Sequence, residues 1–127
     1  MLAEIRDFLK TKIEADHYSI GKIDGTKDKS IGVYGDSSYM ARVEAIGKAK
    51  TYDPAGIRIL IHWNKNMRET ETVARDLYEK LRYITDTDIN GIHVYYLDLL
   101  YGEPVFVGTD DEGVYEYVIA CVVYYER

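Results

Sequence analysis

Hydrophobic positions along this chain fall into blocks whose repeat switches between the helical period of about 3.6 and the strand period of 2. In the first block Leu2, Ile5, Phe8, Leu9 and Ile13 recur at helical spacing among Glu4, Arg6, Asp7, Lys10, Lys12 and Glu14. This predicts an amphipathic helix from Leu2 to about Ala15. Tyr18-Ser-Ile-Gly-Lys-Ile23 then reads as a strand, Asp24-Gly25 as a turn that tolerates positive φ, and Ile31-Gly-Val-Tyr34 as an antiparallel return beyond the polar residues 26–30. Between Gly35 and Lys50 the period fades, and Tyr39, Met40, Val43 and Ile46 leave room for a short helix or a loop over the sheet.

Alternation returns in Ile57-Arg-Ile-Leu-Ile-His-Trp63, with Ile57, Ile59, Ile61 and Trp63 on one face and Arg58, Leu60 and His62 on the other. Asn66 is placed to cap a second helix, Met67 to Ile84, with Glu69 three positions on in the reciprocal capping arrangement. Thr70, Val73, Ala74, Leu77, Tyr78, Leu81 and Ile84 form its apolar face, and Glu71 with Arg75, Arg75 with Glu79, and Asp76 with Lys80 can pair on the wet side. After a turn at Asn90-Gly91, a β-prone run from Ile92 to Tyr101 is broken by Gly102-Glu-Pro104 and resumes in Val105-Phe-Val107. Gly108-Thr-Asp-Asp-Glu-Gly113 reads as a hairpin loop, and the residues between Asp86 and Gly91 as a helix-to-strand turn. The last run, Val114 to Tyr125, is apolar on both parities and must be covered on both faces. Two helices can cover one face; a loop, the second helix or a neighbouring subunit would cover the other. The predicted order is α-β-β-loop-β-α-β-β-β, an α+β fold in which a mixed, mainly antiparallel sheet packs against two helices within one domain spanning residues 1–127.

Composition narrows the classes of function. At 46% hydrophobic and 30% charged residues the chain can bury a core, and no stretch approaches the ~20 apolar residues of a membrane span. Neither a span nor a secretory leader is visible, so synthesis in the cytoplasm is expected. The net charge of −6 opposes general nucleic-acid binding, which needs a concentrated basic surface. Cys121, the single cysteine, lies in the apolar run Val118-Ile-Ala-Cys-Val-Val123 and reads as a small core residue. Thirteen tyrosines exceed what such a core needs and point to contact surfaces with other proteins.

Chemistry-bearing clusters are sparse. Asp86-Thr-Asp88 followed by Asn90-Gly91 has the start of a calcium loop, yet Leu97 stands where the closing glutamate would be. Asp110-Asp-Glu112 gathers three carboxylates at a hairpin tip, where turn propensity and solvation explain them. His17, His62 and His93 lie in three elements without metal-ligand spacing. No nucleophile motif and no phosphate-cradling glycine loop occurs, so no catalytic, cofactor or metal residues are assigned and an enzyme is not expected. Contact candidates are the basic Arg42, Lys48 and Lys50, the acidic Asp110, Asp111 and Glu112, and the aromatic Tyr52, Tyr115 and Tyr117. Lys22, Lys27 and Lys29 extend the basic region, and its pairing with the acidic loop of a neighbouring copy would suit a head-to-tail ring.

Leu2-Ala-Glu-Ile-Arg-Asp-Phe-Leu9, Tyr18-Ser-Ile-Gly-Lys-Ile23, Ile31-Gly-Val-Tyr-Gly35, Ile57 through Asn64 and Thr70-Glu-Thr-Val-Ala74 together carry a resemblance across most of the chain. It resembles the minor capsid or tail-completion proteins of siphophages and prophages of Gram-positive bacteria, a group similar in fold to phage tail terminators. The resemblance implies a subunit of a closed ring, usually a hexamer, at the head-proximal end of the tail tube. Such a ring stops tube growth and docks the tail to the head-to-tail connector or stopper protein. Its partners would be copies of itself, the tube protein and the connector, with no cofactor, no membrane and no specific nucleic acid. It would reside in the virion, and in the host cytoplasm during assembly. Two other readings stay open: a bacterial cytosolic adaptor module that recruits a protein partner to a sheet edge, and a small hydrolase or nuclease using Asp86, Asp88 or the acidic hairpin with a divalent metal.

Overall fold

The computed structural model describes residues 1–21, 27–36 and 52–126. Helix α1 (Leu2–Lys12) buries Ile5 and Leu9, the positions its helical period selects. It stops short of Ala15 because Ile13 turns extended and the Tyr18 hydroxyl donates to the freed Ile13 carbonyl while accepting from the Ala15 amide. Strands β1 (His17–Ile20) and β2 (Ser30–Gly35) follow. They pair in parallel, with His17 opposite Ser30 and Ile20 opposite Val33, which corrects the expected antiparallel return. The Lys29 carbonyl accepts from both Asp16 and His17, and the Lys29 amide donates to the Trp63 carbonyl, so β2 enters the sheet beside the start of β1. The turn expected at Asp24-Gly25 lies outside the described residues.

Strand β3 (Tyr52–His62) pairs antiparallel with β2 from Ser30 opposite His62 to Gly35 opposite Ile57. It begins five residues before the predicted start, so residues 52–56 belong to a strand and not to the expected loop. Pro54 and Gly56 hid this, because both are depleted in strands. They lie where β3 runs past its last described pair with β2, Gly35 opposite Ile57.

Helix α2 (Met67–Arg82) opens on Asn66, whose side chain accepts from the Glu69 amide at 3.1 Å. The reciprocal half of the predicted cap does not form: the Glu69 carboxylate accepts from the Trp63 indole at 3.2 Å instead, fastening the helix to the end of β3. Thr70, Ala74, Leu77 and Leu81 are buried. On the wet side Glu71 pairs with Arg75 and Asp76 with Lys80 as expected, while Glu79 is taken by Arg82 and Arg75 also reaches Glu103.

Beyond α2 the chain forms β4 (Thr85–Ile89), β5 (Ile92–Leu99), β6 (Val105–Thr109) and β7 (Tyr115–Glu126). Strand β4 is additional to the predicted order, and Asp86 and Asp88 lie in it. Polar residues at all of its first four positions masked it, since it is an edge strand that buries only Ile89. Asn90 and Gly91, both at positive φ, make the two-residue turn into β5. The sheet order is β1-β2-β3-β7-β5-β4. Strand β7 runs through the middle, with β3 along one edge and β5 and β6 sharing the other.

Both helices pack on one face of this sheet. Ile31, Val33, Ile57, Ile59, Ile61, Tyr117, Ile119, Cys121 and Val123 meet Ile5, Leu9, Ala74, Leu77 and Leu81 there. Burial pushes the Cys121 thiol up to about 12, so it stays a neutral packing group. On the opposite face Val118, Ala120 and Val122 are buried as well. Arg58, Tyr101, Val105 and Val107 join Val118 and Ala120 around a hollow of about 170 Å³.

Candidate functional site

The β3–β7 ladder has two contrasting ends. At one, His62 stands opposite Glu116, and its imidazole reaches Glu116 through Nδ1 at 3.0 Å. Nε2 faces the Asp110 carboxylate at 3.5 Å. His62 is 1% exposed, so this contact is made beneath the surface and joins β3 to the β6–β7 hairpin. Asp110 also orders the turn, accepting from the Glu112 and Val114 amides at 2.9 Å each. Those amide bonds, led by Val114, hold its carboxyl below the usual carboxylate range. With Asp110 committed, Asp111 and Glu112 remain exposed at the tip. Among the described residues no group of His, Cys, Asp and Glu side chains is placed to hold a metal ion.

Beside this end, on the helix-bearing side, Phe106 lies 5.3 Å from the Tyr117 ring and 6.2 Å from the Tyr115 ring. Tyr117 is itself buried and serves the core, leaving Phe106 and half-buried Tyr115 as the outward aromatic surface. Of the residues singled out from sequence, Asp110, Asp111, Glu112, Tyr115 and Tyr117 are therefore gathered at one end of the ladder.

Tyr52 is at the other end, opposite Glu126. There Tyr52, Tyr95, Tyr96 and Tyr124 line a hollow of about 460 Å³. Tyr96 stacks on Tyr124 with centroids 4.8 Å apart and planes 19° apart, and Tyr52 tilts against Tyr124 at 5.9 Å. A register shift in β5 between Val94 and Tyr96 lets two consecutive tyrosines contribute to one hollow, which a regular strand would place on opposite faces. That shift left no mark in the sequence, and Tyr95, Tyr96 and Tyr124 were missed for that reason. Arg42, Lys48 and Lys50 lie outside the described residues.

A second histidine lies at the edge of this region. His93 Nδ1 is 2.9 Å from Asp88 and Nε2 is 3.6 Å from Asp86. The Asp88 hydrogen bond, ahead of the nearby carboxylate charges, raises the His93 pKa above its ordinary value. A raised folded-state pKa means the contact stabilises fully below the unfolded pKa of about 6.5 and is lost as pH rises through the folded value. Asp88→Asn is expected to lower the His93 pKa toward the ordinary value, read by an NMR titration of the ring protons. An unchanged titration would show that Asp88 does not hold the imidazolium.

Residues 8–127 match the family model of the bacteriophage tail terminator protein. The chain belongs to that family. No curated protein matches it. As a tail terminator it is a structural protein of the phage tail, and its partners are other proteins of the tail and head. Neither helix of this tail terminator is long and apolar enough to cross a membrane, among the described residues.

Proposed function

We propose that this tail terminator closes into a homo-oligomeric ring, a hexamer, that caps the head-proximal end of the tail tube, stops its growth and presents a docking face to the head-to-tail connector. The observation that carries this reading is the pair of unlike patches at opposite ends of one continuous ladder. Eleven register pairs, from Tyr52 opposite Glu126 to His62 opposite Glu116, separate a tyrosine-lined end from the hairpin that carries Asp111 and Glu112. At about 3.4 Å per residue this is a rigid spacer of roughly 34 Å. A head-to-tail contact requires two different, mutually exposed patches on each subunit, and a ring forms when the rotation between them closes. The reading is non-enzymatic and needs no cofactor. Contacts are assigned to Asp111 and Glu112, with Tyr115 near them, at one end and to Tyr52 at the other, while Arg42, Lys48 and Lys50, outside the described residues, are the basic contacts proposed from the sequence.

Sedimentation velocity from low micromolar to several hundred micromolar, with and without tube protein, tests the ring. The expected result is a closed hexamer, alone or on the tube. Reversing Lys48 and Lys50 to Glu is expected to weaken assembly while the thermal unfolding of the subunit stays unchanged. A chain that remains monomeric even with tube protein would overturn the proposal. The outer edge of β6, where Phe106 and Val107 are 45% and 51% exposed, would then favour an adaptor that pairs with a partner strand.

A further inference from the structure

We propose that the hollow between Tyr52, Tyr95, Tyr96 and Tyr124 receives an arginine or lysine side chain from a protein partner. Ring closure is not a premise, because the inference concerns only the chemistry of one contact. Three observations carry it. First, the walls are π-faces: the stacked pair Tyr96 and Tyr124 forms one side, with Tyr52 tilted against it and Tyr95 brought in by the β5 register shift. Such faces attract a cation held within about 6 Å of the ring centre.

Second, among the described residues, carboxylates surround the hollow. Asp98, opposite Val122, is two residues from Tyr96 along β5, and alternation places it on the same face. Glu126, opposite Tyr52, is likewise two residues from Tyr124 along β7. Both are exposed. His93, whose ring meets Tyr95 edge-on at 5.0 Å, already sits against Asp88 and Asp86. Arg58 shares this sheet face farther along and is paired with Asp36 at 2.9 Å. Third, a volume of about 460 Å³ exceeds what one guanidinium fills, so residues flanking the cation enter with it. The same carboxylates repel phosphate, which selects a basic protein segment over a nucleic-acid strand.

The test uses the full chain and the blocked peptide Ac-Gly-Arg-Gly-Arg-Gly-amide, its lysine counterpart, and a citrulline counterpart that keeps the shape without the charge. The expected result is saturable NMR shifts of the Tyr95, Tyr96 and Tyr124 rings with both cationic peptides, and affinity for the citrulline peptide lower by about tenfold or more. Tyr96→Leu is expected to weaken arginine-peptide binding by about fivefold or more, while Tyr96→Phe, which keeps the π-face, stays within about twofold of the parent. Asp98→Asn should weaken it more at low salt than at high salt. Should Tyr96→Leu fail to fold by thermal melting, the Tyr96→Phe and Asp98→Asn pair carries the test. Equal binding of the citrulline peptide, absence of saturable shifts, or preferential binding of an oligothymidine strand would overturn the proposal. Sedimentation of the free chain reads ring closure separately, so loss of either inference leaves the other standing.

Discussion

Truncating Ile59 to alanine is expected to remove about 2–5 kcal/mol of stability, the largest effect of any single change considered. Ile59 is 1% exposed, pairs with Val33 on one side and Ile119 on the other, and belongs to the face that receives both helices. A cavity there cannot collapse easily, because β3 is held by ladders on both edges at that point. Ile59→Val should cost only about 0.5–1.5 kcal/mol, since most of the volume is kept. Urea denaturation of the two variants gives the comparison. A loss below about 1 kcal/mol for the alanine variant would mean that this face of β3 is not the centre of the core. Against a total of about 5–15 kcal/mol for ordinary domains, the expected loss brings the subunit close to unfolding.

Replacing His62 by leucine is expected to be the next most damaging change, at about 1–3 kcal/mol. The leucine fills the space but leaves Glu116 and Asp110 facing an apolar group, so two carboxylates lose the ring that joins them across the strand end. The effect should be concentrated locally. Hydrogen exchange is expected to accelerate at the amides of Val114, Tyr115 and Trp63, which hold the hairpin turn and tie it to the end of β3. Asp111→Asn, at the exposed tip, should stay within about 0.5 kcal/mol of the parent and serves as the comparison. Unaltered exchange at those three amides in His62→Leu would show that the hairpin is positioned without the imidazole.

How much of this was readable beforehand divides along a physical line. Both helices, the core parity of Ile57, Ile59 and Ile61, and the two-sided burial of β7 follow from burial, and burial leaves a period in the sequence. The parallel pairing of β1 and β2 did not, because a strand's partner direction is set by long-range hydrogen bonds at Lys29 and Trp63 that no local pattern encodes. Strand β4 was hidden by the same logic in reverse: an edge strand buries one residue in five, Ile89, so its period never develops. Among candidate contacts, Asp110, Asp111, Glu112 and Tyr115 were legible as a charged turn beside aromatics. The strand face of His62 was legible, but its two partners are 48 and 54 positions away. The tyrosine hollow was illegible because one irregular step in β5 creates it.

The place of β7 in the sheet has a kinetic consequence. Each strand it pairs with, β3, β5 and β6, is synthesised before it, and the pairing of β3 with β7 spans the whole of α2 and three other strands. While the nascent chain waits for β7, β3 has one ladder filled and β5 and β6 have no central partner. Closure of the sheet is then a late, non-local event, of the kind that folds slowly and leaves strand edges open in the meantime. The proposed ring would therefore draw only on subunits in which β7 has already paired, since neither end of the β3–β7 spacer exists until β7 is in place.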